Sequence, residues 1–136
     1  MKSAHALIRL ADYQVETLRK RVAEIGARRV ACEMIVESLE LEAATETARA
    51  RGDAQAGWYL IGFRDGWKLR KQKAAADLAA VLLEEQGAMD ALQAAYEELK
   101  KVEHVVEQSR IAISRVAAAK EAALMDEMAL RRAGRS

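Results

Sequence analysis

The side chains of this sequence best suited to chemistry are two histidines (His5, His104), one cysteine (Cys32), the carboxylate pair Glu97-Glu98 and glycines at 52, 57, 62 and 66. Each suggests a reaction type, and each fails the spacing that type requires. A single cysteine rules out a cysteine zinc cluster and an internal disulfide. The glycines lack the lysine and the preceding strand of a phosphate loop, so nucleotide hydrolysis is not expected. Acid–base catalysis needs carboxylates converging in a pocket, whereas Glu97 and Glu98 read as flank charge on a solvated helix. No catalytic residue, no metal site and no cofactor is expected.

Two other groups suit binding instead. The stretch from Trp58 to Trp67 holds both tryptophans, the sole phenylalanine (Phe63) and one of the three tyrosines (Tyr59). Its basic rim is Arg64, Lys68, Arg70, Lys71 and Lys73, the mixture found at docking hot spots. These rings could equally cap the apolar end of a hairpin. The same mixture suits nucleic acid, but the acids at 33–46 largely neutralise it, and no nucleic-acid partner is expected. The second group lies near the C-terminus, where Ile113, Val116, Leu124, Met125, Met128 and Leu130 alternate with Arg110, Arg115, Arg131 and Arg132.

The elements that must position these groups follow from what is missing. There is no proline in 136 residues, and aromatics make up 4%. Proline breaks helix interiors, and a chain dominated by Ala, Leu, Val, Glu, Arg and Lys has the composition of a long helix. Net charge is +1, so no strong overall field draws in nucleic acid or acidic membrane. Arg9 and Asp12 interrupt any apolar leader, so no signal peptide is expected. The longest apolar run, Trp58 to Phe63, is far short of the roughly 20 residues that span a bilayer. A soluble protein in a reducing, cytoplasmic compartment is expected.

Apolar spacing then specifies the helices. Ile8, Ala11, Val15, Leu18, Val22, Ile25, Arg29, Cys32, Val36, Leu39, Ala43, Glu46 and Ala50 alternate by three and four, and only Arg29 and Glu46 are polar. From Ala74 the pattern returns through Leu78, Val81, Glu85, Ala88, Leu92, Ala95, Leu99, Val102 and Val106. Beyond Val106 the seam is broken at Ser109, Lys120 and Glu127. Such single seams mark a coiled coil. The expected fold is all-α, a long two-helix antiparallel coiled-coil hairpin over one domain, 1–136. Helix 1 runs from about 3 to 50, the turn from about 51 to 57, and helix 2 from about 58 to 132. Asp53 could cap the second helix, although a start nearer Phe63 is also open.

Charge blocks select the pairing. Residues 1–31 carry net +4, 32–47 carry −5, 49–73 carry +5, 74–107 carry −6 and 108–136 carry +3. A hairpin centred near 55 sets opposite blocks against each other, with paired residue numbers summing to about 110. Val15 then faces Ala95, Leu18 faces Leu92, and the polar residues Arg29 and Glu85 pair within the seam. His5 and His104 come close, but at heptad positions e and f His104 points away. Cys32 is a small core residue. The last two dozen residues lack a partner within the chain, roughly 35–40 Å of helix at about 1.5 Å per residue. An unpaired apolar stripe marks a partner site.

The run Ser3, Leu7-Ile8-Arg9-Leu10, Tyr13-Gln14-Val15 and Arg19 to Ile25 resembles the start of the FliJ family of flagellar export proteins, its alphaproteobacterial members in particular. Tyr96-Glu97-Glu98-Leu99-Lys100-Lys101-Val102-Glu103 and Met125-Asp126-Glu127-Met128-Ala129-Leu130-Arg131-Arg132 are similar to its C-terminal half. The resemblance implies a non-enzymatic stalk or chaperone at the cytoplasmic base of the flagellar export apparatus. It would bind and promote the hexameric export ATPase, contact the cytoplasmic domain of the export gate, serve export chaperones, and reach the membrane only through protein partners. Carried over, the ATPase-binding residues would be Arg9, Arg19, Lys20, Arg110, Ile113, Arg115, Met128, Arg131 and Arg132. Gate or partner docking would fall at the hairpin tip on Leu39, Ala43, Trp58, Tyr59, Phe63 and Trp67. The stretch 57–67 departs from the family pattern. The alternative is a generic coiled-coil adaptor or secretion chaperone, including the injectisome counterpart, with no ATPase-stalk role.

Overall fold

Helix-forming residues uninterrupted by proline have one regular way to satisfy their backbone groups, and the chain takes it twice. In the computed structural model, which describes residues 2–52 and 56–135, α1 spans Lys2–Ala50 and α2 spans Ala56–Gly134. Among the described residues there is no strand and no cis peptide bond. The fold is an all-α helical hairpin.

The ends of α1 and α2 have local causes. Thr45 and Thr47 donate their hydroxyls to the carbonyls of Leu41 and Ala43 at 2.9 and 2.8 Å, a side-chain bond that competes with the helix ladder. Two residues past Ala50, the Gly52 N–H reaches back to the Arg49 carbonyl at 3.3 Å and tightens the last turn. Arg49 closes α1, and Arg131 and Arg132 close α2, where cations complement the helix dipole. The expected Asp53 cap lies outside the described residues. The second helix begins at Ala56 and runs unbroken through Gly57, Gly62 and Gly66, so the start nearer Phe63 is not the one adopted.

Burial follows the three-four spacing. All thirteen seam positions of α1 from Ile8 to Ala50 are buried or half-buried, as are all ten of α2 from Ala74 to Val106. The seven that continue the series, Ser109 to Leu130, are exposed. The seam also starts earlier in α2 than its sequence suggests, because Leu60, Phe63 and Trp67 are half-buried at the same spacing.

Contacts divide the chain into two units, Met1–Val15 with Ala95–Ser136, and Glu16–Ala94. In the first, the buried residues are Ala11, Val15 and Leu99. In the second they are Ile25, Leu39, Ala74, Val81 and Ala88, with Val22, Cys32 and Leu78 packed around Ile25, Val81 and Ala88. Alanine and β-branched residues dominate, as a seam one side chain thick requires.

Register in the second unit is fixed by polar pairs beside that seam. Arg28–Glu84, Arg29–Glu85, Glu42–Arg70 and Glu40–Lys71 bridge the helices at 2.9, 3.0, 2.9 and 3.1 Å. The Trp67 indole N–H donates to the Leu39 carbonyl at 2.7 Å. The residue numbers of these five pairs add to between 106 and 114 and average 111, beside the expected 110 or so. A slip of one heptad would move the average by seven. Arg29 and Glu85 are the seam's polar pair, and Arg29 also holds Glu33 at 2.8 Å, so the guanidinium is satisfied on both sides.

Candidate binding surfaces

Two surfaces remain after the helices have packed. The first belongs to the unit of Met1–Val15 and Ala95–Ser136. Leu7 lines a shallow apolar groove with Glu98, Lys101, Val102, Val105 and Val106. Past Ile111 every described residue of α2 is exposed. That stretch carries Ile113, Val116, Leu124, Met125, Met128 and Leu130 at 49–73% exposure. Met125, Met128, Ala129 and Arg132 form a second open hollow along it. Methionine is flexible and polarisable, which suits an adaptable contact.

The charges of this unit divide into tied and free. Arg110 donates from Nε and Nη2 to the two carboxylate oxygens of Glu107 at 3.1 and 2.8 Å. That hydrogen bonding holds the Glu107 carboxyl below its usual range and raises the guanidinium of Arg110. Arg131 donates to Glu127 at 3.0 Å. Arg9, Arg115 and Arg132 form no ion pair among the described residues. Both histidines are exposed, and no cluster of three or more metal-ligating side chains occurs among the described residues.

The second surface is the beginning of α2, in the unit Glu16–Ala94. Helical spacing here sorts the aromatic cluster by direction. Phe63 and Trp67 turn inward, whereas Trp58, Tyr59 and Ile61 are 86, 68 and 63% exposed. Lys71 Nζ sits 4.8 Å from the Trp67 ring centre, a cation–π contact, while also bridging to Glu40. Arg70 is tied bidentately to Glu42, whose carboxyl is held below its usual range by those hydrogen bonds. Among the described residues the five-residue basic rim therefore contributes three cations without such ties: Arg64, Lys68 and Lys73. No helix among the described residues is long and apolar enough to cross a membrane.

Among the described residues both surfaces are open helix faces, the first with shallow hollows. An apolar helix face of this kind suits docking against a partner helix or groove.

Comparison with known proteins gives the family. Flagellar FliJ proteins from two strains of Caulobacter vibrioides are each 49% identical over 132 residues, covering 97% of this chain and 95% of the relative. The chain belongs to the flagellar FliJ family. No family model matches it, and no solved structure does. Caulobacter is an alphaproteobacterium, so the resemblance seen in Ser3 to Ile25, Tyr96 to Glu103 and Met125 to Arg132 is borne out at the level of family.

For a FliJ-family chain, the placement of the implied contact residues is informative. Arg9, Arg110, Ile113, Arg115, Met128, Arg131 and Arg132 fall in the unit that contains both termini, and all are exposed. Arg19 and Lys20 are also exposed but belong to the other unit, and Arg19 is paired with Glu16 at 3.1 Å. At the turn-proximal surface Leu39 is buried, and Ala43, Phe63 and Trp67 are half-buried. These four build the hairpin, while Trp58 and Tyr59 are the two of that set offered to solvent. Ile61 and Leu69, 63 and 69% exposed, join them on the outer face and were missed by sequence reasoning. The i, i+3 and i, i+11 spacing from Trp58 was the signal that could have found them.

Proposed function

We propose that this chain is a non-enzymatic component of flagellar protein export, acting in the cytoplasm at the base of the export apparatus. Its terminal unit binds the hexameric export ATPase and promotes its assembly and activity. Contact with the cytoplasmic domain of the export gate uses the start of α2, chiefly Trp58 and Tyr59. Export chaperones are further partners, and the membrane is reached through proteins alone. The protein's own contribution is a surface, with no cofactor and no chemistry at a fixed centre.

One observation carries this reading: in a FliJ-family chain, residues 112–134 of α2 are exposed throughout while bearing an apolar stripe and four bases. Burying that stripe is favourable in proportion to its area, so a helix left bare in this way favours association. Arg115 and Arg132, which form no ion pair among the described residues, would meet acidic loops without first breaking such a pair.

The test adds the purified chain to the purified export ATPase and measures hexamer formation and hydrolysis. Both should rise, and both should be lost when residues 110–136 are removed while the remaining helical pair keeps its circular dichroism. No binding and no stimulation would reject the ATPase role and leave a coiled-coil adaptor or secretion chaperone.

A further inference from the structure

We propose that residues 107–132 of α2 pair in antiparallel fashion with the same segment of a second copy of this chain. The apolar part of the argument is positional. Ile113, Val116, Leu124 and Met128 are 49–62% exposed. At 100° per residue they fall within about 120° of one another, the width of a helix-packing face. Nothing among the described residues covers them, and Ala117 and Ala123 beside them leave room for a close neighbour.

The charges say what the neighbour is. From Glu103 onward they come in unmixed blocks: Glu103 and Glu107; Arg110, Arg115 and Lys120; Glu121, Asp126 and Glu127; then Arg131, Arg132 and Arg135. Signs therefore run minus, plus, minus, plus. Reversed about the midpoint between Lys120 and Glu121, that order is its own complement. An antiparallel copy sets every block against its opposite, whereas a parallel copy sets each against its like. An unrelated acidic helix would suit the two basic blocks and be repelled by Glu121 to Glu127.

One register satisfies both features. Glu107 with the partner's Arg132, Arg110 with the partner's Glu127 and Lys120 with the partner's Glu121 add to 239, 237 and 241. Ile113 with the partner's Leu124 and Val116 with the partner's Ala123 add to 237 and 239. This spread of four is narrower than the 106 to 114 seen among the cross-helix pairs within the chain. Lys120 lies within the packing face, and the partner's Glu121 neutralises it near the two-fold axis. The local pairs Arg110–Glu107 and Arg131–Glu127 are more than half exposed and would exchange for intermolecular ones at small cost. The dimer covers the stripe assigned above to the ATPase, so the two contacts compete, but dimerisation needs no other protein.

Sedimentation equilibrium on the full chain alone tests this, so its failure would leave the ATPase reading standing. A monomer–dimer equilibrium that weakens with added salt is expected. A variant carrying Glu121→Lys, Asp126→Lys and Glu127→Lys, and another carrying Arg110→Glu, Arg115→Glu and Lys120→Glu, should each dimerise at least about tenfold more weakly through like-charge repulsion. Their equimolar mixture should recover the dimer. All six positions are exposed, and an unchanged helical signal confirms that the fold is intact. For orientation, with Cys32→Ala as background, Val116→Cys should crosslink to Ala123→Cys when the two are mixed, and neither to itself. A monomer at every concentration, a dimer indifferent to both charge variants, or self-crosslinking of Val116→Cys would overturn the proposal.

Discussion

Replacing Ile25 by alanine tests whether the seam holds this protein together. Ile25 is 3% exposed and packs with Val81 and Ala88, with Val22, Cys32 and Leu78 around them. The change removes three carbons, worth ~0.8 kcal/mol each on burial, or ~2.4 kcal/mol together. A residual cavity adds to this, but less than in a thick core, because a seam open along both sides can close partly over the gap. Alanine's better helix propensity returns ~0.4 kcal/mol. The net expectation is a loss of about 2–3 kcal/mol, a large share of the roughly 5–15 kcal/mol of an ordinary domain. Ile113→Ala supplies the control, since at 57% exposure the same chemical change should stay within about 0.5 kcal/mol. Urea unfolding followed by circular dichroism, at concentrations low enough to keep the chain monomeric, reads both. Equal losses at the two positions, or a loss below about 1 kcal/mol at Ile25, would refute the claim that stability resides in the seam.

Two further outcomes follow from the structure. Gly62→Ala and Gly66→Ala should each stabilise the helix by about 0.5–1 kcal/mol, read as a raised urea midpoint. A methyl at either site meets nothing within 4 Å, and neither glycine has positive φ. Acid should weaken the hairpin, because hydrogen bonds from Arg28 and Arg70 hold Glu84 and Glu42 below the ordinary value of 4.5. Their contribution is full above that value and is lost as pH falls through the lowered folded-state pKa values. A pH series of unfolding midpoints should therefore drop below about pH 4.5, and less steeply in the Arg28→Gln, Arg70→Gln double variant.

Much of the fold was legible because a coiled coil writes its contacts into a short period. Each of the thirteen α1 positions from Ile8 to Ala50 is withdrawn from solvent as the three-four spacing requires, polar Arg29 and Glu46 included. Alternating charge blocks carried the register to within a residue or so in the sum, since neighbouring blocks in one chain must face opposite blocks in the other. The bare end of α2 was legible too, as the place where apolar spacing outlasts its partner. Its exposure at Ile113, Val116 and Leu130 is that of a helix with nothing against it.

The expectation that the carboxylates, the lone cysteine and the histidines serve no reaction rests on their spacing in the sequence. The two helices and their pairing were decided by sequence alone, through local propensity and a repeat of 3.5 residues. The aromatic stretch was not. Its rings and glycines interrupt the aliphatic pattern, and the next seam slot after Trp67 falls on the charged pair Arg70 and Lys71. Which rings turn inward depended on what α1 presents across the seam. The Leu39 carbonyl accepts the Trp67 indole, and Glu40 and Glu42 draw Lys71 and Arg70 to either side of it. Those partners lie 28 to 31 residues away in sequence, beyond the reach of any local periodicity. Only the folded hairpin could leave Trp58 and Tyr59 facing solvent and place Phe63 and Trp67 within it.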